Sequence, residues 1–308
     1  MLDVVAVATP LTRGLILLTL MLLFGTVTTG WLVARAPIDR RTTSSNVIEG
    51  WLGRLPGLLA WFLLTLSLVR GALQVLAFTD PGAPIDPELA RAVLSTGSWG
   101  SGWISQTLVA FILLALSWLL RNARTRLRWT VAMGAVALLV AQSGMGHGVD
   151  PFWNPGALGR VVHFAHLVGV SMWLGTLGVL ALTVFPSLVT PATRPALVSV
   201  LHDFSKFARV GAVLMLVSGV VATWTYTNVL SDLWRTPWGQ LLLIKLGLLG
   251  GVAGIGYWNW KVLTPRLHAA EPDAAVRLRR AVAVEVSLAL VLLGVTAILV
   301  GMGTPREA

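Results

Sequence analysis

No cysteine occurs in the 308 residues. This excludes disulfides, thiolate metal sites, cysteine nucleophiles and covalent attachment of a c-type haem. Any soft-metal site must therefore use histidine and methionine. Charge is scarce as well. Only 12% of residues are charged, about half the roughly 25% of a soluble domain. Acidic residues are the scarcer kind, 13 against 23 basic ones, for a net charge of +10. Tyrosine is nearly absent, 2 against 14 tryptophans, and tryptophan favours membrane interfaces. There is no His-Glu-x-x-His, no P-loop, no Gly-x-Ser-x-Gly and no paired intramembrane carboxylates, so the chain is not expected to be an enzyme. The first ten residues carry Asp3 and no basic residue, whereas a cleavable signal needs a positive start. The first apolar segment is expected to be a retained membrane helix.

What is present is apolar. Hydrophobic residues make up 56% of the chain, and the mean hydropathy is +0.78. A helix needs about 20 apolar residues to cross a hydrocarbon core of roughly 30 Å. Eight stretches qualify: Leu11–Val33, Pro56–Phe78, Trp103–Leu120, Trp129–Gly146, Arg160–Phe185, Phe207–Asn228, Gly239–Val262 and Val276–Met302. The expected fold is all-α, a polytopic membrane protein of eight transmembrane helices in a lipid bilayer. The loops are too short for a soluble domain. The chain divides into two four-helix halves, 1–150 and 151–308. Thr96-Gly-Ser-Trp-Gly100 and Thr236-Pro-Trp-Gly239 precede the third and seventh stretches. Aligned, they set Gln106 opposite Lys245 and suggest two parallel repeats, as in some transporters.

Basic residues set the orientation. The odd gaps hold Arg35, Arg40, Arg41 and Arg54; Arg121, Arg124, Arg126 and Arg128; Arg194, Lys206 and Arg209; and Lys261, Arg266, Arg277, Arg279 and Arg280. The opposite side has Arg13, Arg91, Arg160, Arg235 and Arg306. The odd gaps are therefore expected in the cytoplasm and both termini outside. This distribution accounts for the net charge through topology, so no nucleic-acid partner is expected.

Three of the five histidines fall between Met145 and Gly175, at the junction of the fourth and fifth stretches. His163 and His166 are spaced i, i+3 on one helical face, with Trp173 two turns further along it. At 1.5 Å per residue they lie roughly 5–10 Å below the outer surface. His147 comes from the adjoining segment. Imidazole suits copper, zinc and iron, and a thioether from Met145 or Met302 would favour Cu(I). Asp150 would supply an oxygen ligand or orient a histidine. A plainer reading has these histidines bonding to backbone or headgroups. The rival occupant is non-covalent haem b, for which His163 and His166 on one face could not both be axial ligands of one iron.

Other polar residues sit inside apolar stretches, where a charge costs several kcal/mol. Arg70 and Gln74 share a face, with Asp80 or Glu88 as partners for Arg70 outside. Lys245 and Glu285 lie at similar depth on the last two helices, and an ion pair between them is expected, with Asn259 in the same network. Ser218 and Gly219 read as small residues that allow close helix packing.

The segment 163–175, HFAHLVGVSMWLG, together with Phe204-Ser205, Thr236-Pro-Trp-Gly-Gln-Leu-Leu-Leu-Ile-Lys245, Asn259 with Pro265, and Leu278-Arg-Arg-Ala-Val-Ala-Val-Glu285, resembles the CopD-type copper-resistance membrane proteins. The strong part covers 160–302. The resemblance implies a bacterial inner-membrane protein that handles copper, as a permease moving it towards the cytoplasm. It implies that His163, His166 and Trp173 sit at the working site. A separate periplasmic copper-binding protein is the expected partner, and a non-transporting docking subunit for that protein is an alternative. Imidazole must be neutral to bind metal, so uptake should weaken below pH ~6.5.

Overall fold

In hydrocarbon a helix satisfies every backbone polar group within its own segment, and long apolar runs take that form here. The computed structural model describes residues 2–39, 41–80, 82–145, 156–188 and 190–306, and every regular element among them is helical. The main helices are α1 (Leu2–Arg35), α2 (Thr43–Ala77), α3 (Pro87–Ser95), α4 (Gly97–Leu119), α5 (Arg124–Ser143), α6 (Gly156–Val170), α7 (Thr176–Ser187), α8 (Arg194–Tyr226), α9 (Asp232–Arg235), α10 (Pro237–Trp258), α11 (Thr264–His268) and α12 (Ala274–Leu299). A π-helical turn, Ser171–Gly175, joins α6 to α7, and another, Asn259–Leu263, joins α10 to α11.

Among the described residues, seven helical runs are long and apolar enough to cross a membrane: Val5–Arg35, Thr43–Ala77, Gly97–Leu119, Leu158–Ser187, Pro191–Tyr226, Pro237–His268 and Ala274–Leu299. The stretch expected at Trp129–Gly146 is the 20-residue α5, whose first turns carry Arg124, Arg126 and Arg128. Arg124 is ion-paired to Glu49 on α2. Several helices start before their apolar stretch because local capping extends them. Thr42 accepts from the Ser45 N–H at 3.3 Å and starts α2 ahead of Pro56. Thr236 accepts from the Gly239 N–H at 3.0 Å, with Pro237 in the first turn of α10, the cap and proline pattern that favours helix starts.

Thr96 and Thr236 have nearly the same backbone angles, φ −102° with ψ 154° and φ −102° with ψ 148°. Each follows a short helix, α3 or α9, and each precedes a Trp-Gly pair.

Helix α1 lies at the centre, packed on α2, α5, α7, α12 and the first π turn. Ile16, Leu20 and Leu23 are at most 2% exposed. Gly25 and Gly175 bring the α1 backbone against the π turn so closely that a Cβ at either would collide with the other's helix. Thr28 and Thr176 hydroxyls hydrogen-bond at 2.6 Å across the same contact. The outward surface is apolar, with Trp61, Phe111, Trp118, Trp129, Val220 and Trp224 exposed, as a lipid-facing surface requires.

Candidate metal centre

One end of the bundle gathers the start of α1, the end of α2, the start of α4, the end of α5, the start of α6, the end of α8, the start of α10 and the end of α12. We call it the histidine end. His163 and His166 rise from α6 there, both half-buried. The His166 Nδ1 lies 3.1 Å from the Met215 carbonyl and 3.2 Å from the Ser218 hydroxyl on α8. A carbonyl can only accept, so Nδ1–H donates to it and the Nε2 lone pair stays available. The His163 ring hydrogen-bonds to the Ser143 carbonyl at the end of α5. Each imidazole thus has one nitrogen fixed by backbone and one left to act, the arrangement by which proteins orient metal-binding histidines.

The two rings are close enough to influence each other electrostatically, and the Lys245 ammonium on α10 lies within reach of both. No ion pair joins Lys245 to Glu285 among the described residues, contrary to the expected pairing. Glu285, 2% exposed on α12, instead accepts from Asn259 Nδ2 at 2.7 Å. The Trp173 indole lies against the same carboxylate. Gly256 makes room for both, since a Cβ there would sit 2.9 Å from Glu285 Oε1 and 3.7 Å from the Trp173 ring. Trp173 thus meets the buried carboxylate, on the same helix run as the two histidines.

Met145 packs against Gly102 on α4, two residues beyond the Ser143 that holds His163. Met302 packs on the cluster of Trp238, Leu242 and Leu299, one turn outside Lys245. His147 and Asp150 lie outside the described residues. Among the described residues no three His, Asp or Glu side chains gather as a metal cage. The described part of the site is the histidine pair. Arg70 does not reach Asp80 or Glu88. Its Nη1 donates to Gln142 Oε1 at 3.4 Å, and its guanidinium lies 5.8 Å from the Trp99 ring. Gln74 is half-buried one turn further along α2.

A porphyrin needs a slot between helices. Next to the histidines, α6 and α8 are in backbone contact: a Cβ on Gly169 would sit 2.6 Å from the Gly211 carbonyl, and one on Gly211 2.8 Å from Met172 Cβ. These helices leave no such slot between them one turn from His166.

Sequence reading missed Ser143 and Met215 because a backbone acceptor has no residue signature. Ser218 was visible, but as a packing residue. Its depth on α8 matches that of His166 on α6, and depth matching was the available signal.

The chain is 28% identical over 207 residues to the inner membrane protein YebZ of Escherichia coli (strain K12), covering 67% of this chain and 68% of that one. It is 28% identical over 236 residues to copper resistance protein D of Pseudomonas syringae pv. tomato, covering 71% and 73%. It is 29% identical over 172 residues to the copper transport protein CutJ of Bacillus subtilis (strain 168), covering 54% of this chain but only 31% of that longer protein. No solved structure matches the chain. Residues 1–159 match the copper resistance protein D-like N-terminal domain, and residues 198–299 match copper resistance protein D. The chain, with its membrane-spanning helices and its histidine pair, belongs to the copper resistance protein D family.

Proposed function

We propose that this protein is a copper permease of the bacterial inner membrane, taking the ion at the histidine end and passing it towards the cytoplasm. The observation that carries the reading is the orientation of His163 and His166 by Ser143 and Met215, which leaves each ring one free nitrogen. His147, Met145 and Met302 complete the capture site, with Asp150 orienting it. The cargo is Cu(I). The Lys245 charge repels a doubly charged ion twice as strongly as a singly charged one, and thioether ligands favour Cu(I).

The topology that goes with this reading has eight spans, with α5 as the additional one. At 1.5 Å per residue its 20 residues reach about 30 Å, the thickness of a hydrocarbon core. Both termini and the histidine end face the periplasm, and a periplasmic copper-binding protein delivers the ion. The division into halves at about residue 150 is supported by the separate family matches, and the repeat by the like-shaped Thr96 and Thr236 caps. No catalytic step is part of this function.

Copper accumulation in cells expressing the protein tests the reading. The His163→Ala, His166→Ala double variant should accumulate no more than cells lacking the protein. Accumulation equal to that of the wild type removes the site from the pathway.

A further inference from the structure

A second group of polar side chains lies at the histidine end, outside the residues proposed for copper capture. Arg13 lies on α1, and its Nη1 is enclosed with no hydrogen-bond partner. That atom sits beside Gly301 at the end of α12, 3.0 Å from where a Cβ would be. Arg70 lies on α2 and is 7% exposed. Helices α1 and α2 pack on each other, and the Arg13 charge reaches Arg70. Arginine keeps its proton under all ordinary conditions, so both charges persist.

Neither guanidinium has a carboxylate within ion-pair distance among the described residues. The Gln142 amide and the Trp99 face offer Arg70 only partial charges. Two like charges in a low-dielectric surrounding repel, and the buried Arg70 and the enclosed Nη1 of the half-buried Arg13 have given up hydration. Snorkelling by the long side chain does not account for them, because Arg70 is buried and Arg13 Nη1 is enclosed. Gln106 adds a third anomaly. It is fully buried on α4 with both amide atoms unpartnered. Its neighbour Thr107 hydrogen-bonds Ser67 on α2 at 2.6 Å, which sets Gln106 at the level just inside Arg70.

We propose that Arg13 and Arg70, with the Gln106 amide beneath them, hold a small monovalent inorganic anion of the halide class. One negative charge between the guanidiniums turns their repulsion into attraction, and the unpartnered Arg13 Nη1 and Gln106 Nε2 supply further donors. A halide is small and spherical and needs no fixed donor direction, so it suits guanidinium and amide donors that arrive from three separate helices. The site is separate from the histidine pair and does not depend on the copper reading.

The test uses the full chain purified in a phosphate-free maltoside detergent, with chloride as the probe. The line width of the chloride-35 magnetic resonance signal is followed as chloride replaces gluconate at fixed ionic strength, and the thermal unfolding midpoint is read in the same series. The wild type should show saturable excess broadening and a midpoint that rises with chloride. Arg13→Gln and Arg70→Gln should lose both effects, and Arg306→Gln, altered at an exposed site, should keep them. The wild-type titration is decisive without any variant: absence of saturable broadening overturns the proposal. So does broadening that persists in a folded Arg13→Gln, Arg70→Gln protein. Stoichiometric lipid phosphate that co-purifies with the wild type, blocks chloride and is lost from the variants would assign the pair to a headgroup and overturn it too.

Discussion

At His166 the Nδ1–H is taken by the Met215 carbonyl, so the ring has one nitrogen left to offer, and the Lys245 ammonium stands near that offer. Removing that charge should strengthen cation binding in proportion to the cation's own charge. For Lys245→Met we expect affinity for Cu(I) to rise on the order of tenfold, about 1.4 kcal/mol, and for Cu(II) about a hundredfold. Competition titration against chelators of each oxidation state measures both, and equal gains would contradict the electrostatic account. Asn259 poses a different problem, because its amide is the hydrogen-bond donor that holds a buried carboxylate. Asn259→Leu leaves Glu285 short of a donor and should cost about 1–3 kcal/mol. The midpoint of thermal unfolding in detergent should fall accordingly, and a second change, Glu285→Gln, should recover part of the loss by removing the charge. No recovery would mean that Asn259 acts through packing alone.

The helices meet through glycine where they carry the site. Gly175 lies against the Met21 backbone, and Gly25 against Gly175. A leucine at Gly175 must force α1 away from the π turn, at about 1–3 kcal/mol for overpacking and more if the helices cannot part. Gly250→Ala should leave stability unchanged, since nothing lies within 4 Å of a Cβ there. Equal yields of folded protein for the two variants would refute the close-contact account. The existence of these helices was legible in the sequence, because runs of some twenty apolar residues have few other fates. The two π turns were not. A helix that is apolar on every side carries no stripe for an extra residue to interrupt, so Ser171–Gly175 and Asn259–Leu263 look like ordinary helix. Yet these turns carry Trp173 and Asn259, the two side chains that meet Glu285. The i, i+3 spacing sets His163 and His166 on one face and groups Trp173 with them. Trp173 itself sits within the π turn, and its indole meets Glu285.

Across the whole molecule, basic residues collect in alternate connections, and this asymmetry carries the orientation we propose. The absence of cysteine makes it directly measurable. Ala92→Cys on α3 and Asn122→Cys between α4 and α5 each introduce one exposed thiol. An impermeant maleimide added to intact spheroplasts should label the first and leave the second unlabelled until the cells are opened. The reverse pattern would invert the topology and put the histidine end in the cytoplasm. Partners such as Arg13 with Arg70, or Lys245 with the imidazoles, depend on which helices become neighbours, and hydropathy alone does not encode adjacency. A π turn is one residue too many in a helical lattice, in the sense of a dislocation. A dislocation glides by exchanging hydrogen bonds one at a time, and each step swings the adjoining side chains by about 100°. Here two of them, on separate membrane spans, are pinned at one buried carboxylate. Glu285 thus ties the two dislocations, and the spans that carry them, to each other.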